Sequence, residues 1–173
     1  MLFADDYSLF APCFGKCVVM KKFLKVAVVI LFVVFAAIQF YRPNQTNPPI
    51  VESETLQAAT QVPENVNKIL ERSCNDCHSN QTVYPWYSNI SPFSWLLAEH
   101  IDDGRRHLNY SVWTSYDNKR KRKKLDETCE QVEMGEMPHN QYLWLHGDAK
   151  LSEEDKKVLC EWTEAEKSKL PQT

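Results

Sequence analysis

Two cysteines and a histidine in the middle of the chain have the spacing of a covalent haem-attachment motif. They are Cys74, Cys77 and His78, and they form the pattern C-x-x-C-H. Two thiols three positions apart can add to the two vinyl groups of one haem, and a histidine directly after them can bind the iron as its proximal ligand. The pattern therefore predicts one covalently attached haem c, with His78 on the iron.

The same spacing also occurs in zinc half-sites and in redox-active dithiols. A zinc site would need a second Cys or His pair at similar spacing, and none follows the motif. A thioredoxin-like dithiol would need a βαβ context, whereas the sequence on either side is not strand-like. We therefore favour haem c over both alternatives.

The N-terminal part of the chain has the features of an export signal or a membrane anchor. Lysines precede an uninterrupted apolar run over residues 26–38. With its flanking residues the run is long enough to cross a bilayer, so it predicts an uncleaved signal anchor over 20–41, with a cleaved signal as the alternative. Residues 1–19 form an N-terminal extension of uncertain status, because Met20 is a second candidate for the start of translation.

The charges around the apolar run predict the orientation of the chain. Lysines lie before the run and are scarce just after it, which predicts a cytoplasmic N-terminus. The rest of the chain would then lie in the periplasm, on the side of the inner membrane where haem c is attached. The net charge of −3 argues against a nucleic-acid partner.

The remaining sequence predicts a linker followed by a helical domain. Residues 42–62 are polar and proline-rich, which favours a linker, and residues 63–173 carry the helical patterns. The first helix has Pro63 as its first residue and runs into the motif, and the last one is capped by Ser152. We expect an all-α, class I cytochrome c-like domain that wraps its haem. Between these two helices we expect one after Ser91, closed by Gly104, and a charged one over about 116–134.

Met137 is the candidate for the distal ligand of the iron. It lies 59 positions after His78 and is followed by Pro138, which stiffens the loop. An isolated methionine is otherwise core filler. His100 lies among apolar residues, where a histidine is more often a satisfied core residue than a ligand. The competitors of Met137 for the iron are Met134, His100, His139 and His146.

Three further features have a functional and an ordinary interpretation. Arg105 could pair with a haem propionate or be solvated at the surface. Six consecutive basic residues, 119–124, could form a dock for an acidic redox partner or the solvated face of a helix. Cys129 and Cys160 could form a disulfide, which is favoured outside the cytoplasm, or remain as two buried thiols.

The combination of motifs resembles the bacterial haem-binding domain family of small cytochrome c-like proteins. The resemblance covers residues 63–165 and implies haem c on the two motif cysteines, His78 as proximal ligand and Met137 as distal ligand. The stretch H-x-x-x-G-R is also part of the family pattern, so the resemblance adds support for functional roles of His100 and Arg105. The stretches that carry it are CNDCHSNQTVYPWYSNISPFSWL, HIDDGRRHLNYSVW, GEMP, YLWLH and LSEEDKKVLCEW.

These observations predict a periplasmic, membrane-anchored one-electron carrier rather than an enzyme. Ligation by His and Met leaves no open position on the iron and raises the reduction potential relative to two histidines. Its redox partner proteins are not identified by the sequence. The alternative is a haem-based sensor or small peroxidase-like protein whose iron is open or weakly capped, with His100 as a distal polar group.

Overall fold

Every described element of secondary structure is helical. The computed structural model describes residues 13–171, with side chains from Met20 onward, and this part of the chain contains no strand. The all-α prediction is thereby confirmed. Most of the predicted extension over 1–19 lies outside the described residues. The helices are α1 Cys13–Ile38, α2 Leu56–Ala59, α3 Glu64–Ser73, α4 Asn75–His78, α5 Phe93–His107, α6 Asn118–Glu133, α7 Asn140–Leu143 and α8 Glu153–Lys169, with 3₁₀ turns at Glu52–Glu54, Trp86–Asn89, Tyr110–Ser115 and Gly147–Ala149.

Helix α3 leads directly into the haem-attachment motif. Pro63 precedes its first residue, and a proline is well tolerated there because the first turn of a helix has no use for its backbone N–H. The apolar side chains recur at intervals of three and four residues, so they share one face of the helix. That face is buried and consists of Val66, Ile69, Leu70 and Ser73.

The core of the domain lies where α3 and α6 pack against α8. Leu70 of α3 and Leu159 of α8 are both completely buried there. Cys129 of α6 and Cys160 of α8 form a disulfide, the pair that the sequence led us to expect, with their Cα atoms 4.9 Å apart. The bond therefore joins two of the three helices that make the core.

A capping box begins α8 and also ties it to α3. The Ser152 hydroxyl accepts a hydrogen bond from the Asp155 backbone N–H at 3.1 Å, and the Asp155 carboxylate accepts one from the Ser152 N–H at 2.9 Å. The same carboxylate accepts a hydrogen bond from the Arg72 guanidinium at 3.0 Å. One carboxylate thus closes the first turn of α8 and holds the end of α3 against it.

The six consecutive basic residues of α6 are largely engaged within the domain. Arg122 donates to the carbonyl oxygens of Lys167 and Leu170, at 3.0 and 3.1 Å, which is favourable at the negative end of α8. The Arg120 guanidinium lies 4.1 Å from the centre of the Tyr116 ring. Lys124 pairs with Glu127 at 2.6 Å. These contacts give part of the run a structural role, and the dock for an acidic partner stays a prediction.

Residues 42–62 differ from the free linker that their composition predicts. The Asn47 side chain accepts a hydrogen bond from Arg105 at 2.7 Å and donates one to the Thr82 carbonyl at 2.9 Å. Leu56 of α2 is completely buried in the core cluster. A polar, proline-rich composition predicts irregular backbone, but it does not reveal whether the polar groups bond to water or to the domain.

Helix α1 carries the apolar run of the predicted anchor. It ends at Ile38, three residues before the predicted end of the span at Tyr41. Within the part of the chain that the structure describes, no helix is both long enough and apolar enough to cross a bilayer. The predicted transmembrane span over 20–41 is therefore not confirmed.

Candidate functional site

The motif cysteines lie on one short helical turn. Cys74 is the last residue before α4, and its carbonyl oxygen accepts hydrogen bonds from the backbone N–H of Cys77 at 3.2 Å and of His78 at 2.9 Å. The turn brings both cysteines and the histidine onto one small helical segment at the end of α3. The two thiols are not joined in a disulfide.

Both thiols are held in their neutral form. Burial and the neighbouring Cys77 raise the pKa of the Cys74 thiol to about 12. Burial and the Asp76 carboxylate raise the pKa of the Cys77 thiol to about 11. A redox-active dithiol needs a thiolate near neutral pH, so these values argue against that alternative.

The described residues also lack a set of zinc ligands at the motif. Only Cys129, Glu133 and Cys160 place three potential ligand atoms within 4.8 Å of one another, and both sulfur atoms there belong to the disulfide. A structural zinc site needs four ligands. The geometry of the motif therefore does not favour zinc.

His78 is oriented as a neutral ligand. Its Nδ1 atom lies 3.1 Å from the carbonyl oxygen of Gly104 and 3.0 Å from that of Leu108. Carbonyl oxygens only accept, so Nδ1 carries the proton and the lone pair lies on Nε2. Burial is the largest influence on His78 and lowers its pKa. A second hydrogen bond of this kind is how proteins fix the tautomer of a histidine that binds a metal.

Gly104 lets α5 pack directly on the motif. A Cβ atom at this position would overlap the carbonyl oxygen of Cys77, so no other residue fits without a backbone shift. The prediction that Gly104 closes its helix is wrong, because α5 continues to His107. Close approach of two backbones is therefore the reason for a glycine here.

The face of α5 that meets the motif continues as an apolar surface. Phe93, Leu97 and His100 precede Gly104 at helical spacing, and Phe93 is 56% exposed. Trp86 is 75% exposed and contacts Tyr87 edge to face at 5.9 Å between ring centres. Large apolar side chains that are exposed this close to the motif favour a binding surface. It suits a large, flat, apolar ligand such as a haem.

The loop that carries Met137 lies beside the same face of α5. The backbone N–H groups of Glu136 and Met137 both donate to the Gln131 carbonyl, at 3.0 and 3.2 Å, which fixes the loop to the end of α6. The ring of His139 lies 5.0 Å from that of His100, between centres. Met137 is 37% exposed, so its thioether is not packed away in the core.

A comparison with protein families identifies the domain. A family profile described as a haem-binding domain matches residues 33–165. The chain belongs to this haem-binding domain family. No curated protein and no solved structure matches it. The matched region begins within α1 and includes residues 42–62, in agreement with the packing of that segment on the domain.

His100 is half-exposed rather than a core residue of this haem-binding domain. Burial and the neighbouring His139 both lower its pKa, which favours the neutral form of the imidazole. The structure brings the rings of His100 and His139 together, and His139 lies two positions after Met137 on the same loop. His146 differs from them, because its Nε2 is engaged with the Tyr87 hydroxyl at 2.7 Å.

Arg105 acts as a clamp within the haem-binding domain. Its Nε donates to the Ser79 carbonyl at 2.8 Å, and its Nη2 donates to Asn47 at 2.7 Å and to the Thr82 hydroxyl at 2.9 Å. These bonds join α5, the loop after the motif and the segment before α2. The predicted pairing of Arg105 with a haem propionate stays a prediction.

The structure adds a polar network that sequence patterns did not reveal. Asp76 lies between the two motif cysteines, and its carboxylate accepts hydrogen bonds from the Tyr142 hydroxyl at 2.7 Å and the Val83 N–H at 2.9 Å. The Tyr142 ring stacks on that of His146, with 4.1 Å between centres. Burial and the bond to Asp76 raise the pKa of Tyr142, which keeps its hydroxyl a donor. Partners so far apart along the chain leave no periodic signal in the sequence.

Proposed function

We propose that this haem-binding domain is a c-type cytochrome that carries single electrons. The observation that carries the proposal is the orientation of His78, whose Nδ1 is hydrogen-bonded to two backbone carbonyls directly after two partly buried, unpaired thiols. This arrangement supports covalent attachment through Cys74 and Cys77 with His78 Nε2 on the iron. Each thiol would add across one vinyl group, so that sulfur bonds to one carbon and the proton goes to the other.

The distal ligand in this proposal is Met137. Its loop is fixed to α6 through the Gln131 carbonyl and lies beside the apolar face of α5. With a thioether and an imidazole as its two protein ligands, a bound haem would favour the reduced iron and have a higher reduction potential. The haem supplies the reversible one-electron chemistry, while the chain supplies the ligands and excludes water. An iron with two protein ligands offers no position to a substrate, so we propose a carrier rather than an enzyme.

A class I cytochrome c-like arrangement is part of the same proposal. The helix before the motif, α3, contacts the last helix, α8, as it does in that class. We place the domain in the periplasm, because haem c is attached there and because the Cys129–Cys160 disulfide suits an oxidising compartment. The apolar run of α1 would direct export and hold the protein at the inner membrane. Alkaline extraction of cell membranes tests that attachment.

An absorption experiment tests the proposed ligands. The full chain is produced with a cytochrome c maturation system, and ferric and ferrous spectra are recorded for wild type and Met137→Ala. We expect a low-spin spectrum with a weak long-wavelength band between methionine and ferric iron, and its loss in Met137→Ala. Met134→Ala is the matched control, since Met134 lies three residues away and is 63% exposed. A band that survives Met137→Ala would contradict the assignment.

One observation favours a second candidate function. The neutral His100 and its neighbour His139 lie beside the Met137 loop and could serve as distal polar groups to a bound gas or peroxide. A sensor or small peroxidase would need an open or weakly capped iron. Fast, tight binding of carbon monoxide to the reduced wild type would favour this candidate, and resistance to carbon monoxide would favour the carrier.

A further inference from the structure

The segment after Met137 is pinned to the haem-attachment helix by one hydrogen bond. The Tyr142 hydroxyl donates to the Asp76 carboxylate at 2.7 Å, across 66 positions of sequence. Asp76 lies on α4 between Cys74 and Cys77, the two proposed attachment points. Tyr142 lies on α7, only five positions after Met137. The bond therefore connects the proposed attachment site to a residue that lies only five positions along the chain from the proposed ligand.

The other end of the loop is also fixed. Gly135 adopts a positive φ of 74°, which turns the chain out of α6, and the N–H of Met137 then bonds to the Gln131 carbonyl at 3.2 Å. The loop is thus held between α6 on one side and the Tyr142–Asp76 bond on the other. Release of the second point would leave the loop held by α6 on one side and, further along the chain, by the bond between His146 and Tyr87.

A third contact holds the segment after Met137 at a different part of the domain. The Tyr87 hydroxyl bonds to His146 at 2.7 Å, and this bond reaches the 3₁₀ turn Trp86–Asn89 rather than α4. It uses the same chemical group as Tyr142, a half-buried phenol, and lies further from Met137 along the chain. It therefore provides a matched comparison for the Tyr142–Asp76 bond.

We propose that the Tyr142–Asp76 hydrogen bond is a latch that holds Met137, the proposed ligand of a bound haem iron, in place and would thereby exclude external ligands from that iron. The proposal rests on the proposed function, because it assumes a haem on the motif and Met137 as its distal ligand. Tyr142 is a positioning residue, since it acts through Met137 and the loop. A hydrogen bond to a carboxylate is strong enough to change the population of an opened loop about tenfold or more.

The test compares Tyr142→Phe with Tyr87→Phe in the full-length holoprotein. Phenylalanine keeps the ring that stacks on His146 and removes only the hydroxyl. We expect carbon monoxide to bind the reduced Tyr142→Phe protein about tenfold faster or more, with a weaker methionine-to-iron band, while Tyr87→Phe stays near wild type. In a Met137→Ala background the Tyr142→Phe change should have no further effect, because the latch acts through Met137.

Three outcomes would overturn the latch. Binding rates that match wild type in Tyr142→Phe, or an equal change in Tyr87→Phe, would show that the bond does not control access. A further increase in the Met137→Ala background would show that Tyr142 acts by another route. Failure of the proposed function is seen separately in the wild type, as a chain without covalent haem or an iron that binds carbon monoxide at once.

Discussion

The Nδ1 atom of His78 lies 3.1 Å from the carbonyl oxygen of Gly104, and the same glycine leaves no space for a Cβ atom beside the Cys77 carbonyl. One residue of α5 therefore fixes the tautomer of the proposed iron ligand, together with the Leu108 carbonyl, and also lets the helix approach the motif. The orientation of His78 and the packing of α5 on α4 depend on each other.

Gly104→Ala should destabilise the domain. Alanine favours the helical state by up to about 1 kcal/mol over glycine, but overlap with a backbone carbonyl costs about 1–3 kcal/mol and requires α4 to shift. We expect a net loss in the free energy of unfolding, measured by urea titration, together with less haem per chain. Gly147→Ala is the control, because no atom lies within 4 Å of a Cβ placed there. Equal stabilities for the two variants would contradict the close-approach argument.

The Cys129–Cys160 disulfide should contribute substantially to stability. It closes a loop with a sequence separation of 31, which corresponds to about 3–4 kcal/mol in the chain-entropy model. The double variant Cys129→Ala/Cys160→Ala should lose this amount in urea unfolding. Reduced wild type should then unfold at the same urea concentration as the double variant. Two alkylatable thiols at these positions in the unreduced protein would disprove the bond.

Asp155 should make the free energy of unfolding depend on pH in the acidic range. Burial by itself would raise its pKa, but the hydrogen bonds from Ser152 and the Arg72 guanidinium outweigh it and hold the pKa of Asp155 below its ordinary value. A carboxyl with a lowered pKa in the folded state contributes stability above its unfolded pKa of about 3.9, and this contribution is lost as the pH falls through the folded pKa.

Asp155→Asn tests this dependence. The variant should be about 1 kcal/mol less stable than wild type at pH 7, which is the usual contribution of a helix cap, and the difference should shrink as the pH falls below about 4. Urea titrations at several pH values measure both effects. Glu154→Gln removes an exposed charge from the same first turn and should change stability by less than about 0.5 kcal/mol. A difference for Asp155→Asn that stays constant with pH would contradict the account.

Arg105→Ala should reduce stability rather than only change the reduction potential. The variant loses bonds to Ser79, Thr82 and Asn47 and leaves a buried carbonyl without this donor, which costs about 1–3 kcal/mol. Arg106→Ala is the neighbouring control, since Arg106 is exposed and pairs only with Asp103 on its own helix. A changed potential with unchanged stability would instead favour the propionate pairing predicted from the sequence.

The helices of the core were predictable because local rules and tertiary packing agree there. The buried stripe of α3 and the Ser152 cap of α8 follow from apolar spacing and from capping chemistry. The motif residues were predictable because attachment of a haem demands specific atoms at fixed spacing. In each case the information lies within a few consecutive residues.

The remaining features depend on contacts between distant segments. Gly104 is of a residue type that commonly ends helices. Only the close approach of the Cys77 backbone to α5 explains why it lies inside that helix. Asp76 and Tyr142 are ordinary polar residues until the fold brings them to 2.7 Å. Residues 42–62 have a linker composition, yet Leu56 fills the core. The periodic pattern of apolar residues does not indicate which distant residues contact each other in the fold.

The mass of the denatured full-length protein, produced with a cytochrome c maturation system, tests the central claim most directly. Denaturation removes a haem held by ligands alone but leaves one held by thioether bonds. We predict a mass higher than that of the chain by one haem, and the loss of this increment in Cys74→Ala/Cys77→Ala. A wild-type mass equal to that of the bare chain, under conditions that mature a known cytochrome c, would contradict covalent attachment at the motif.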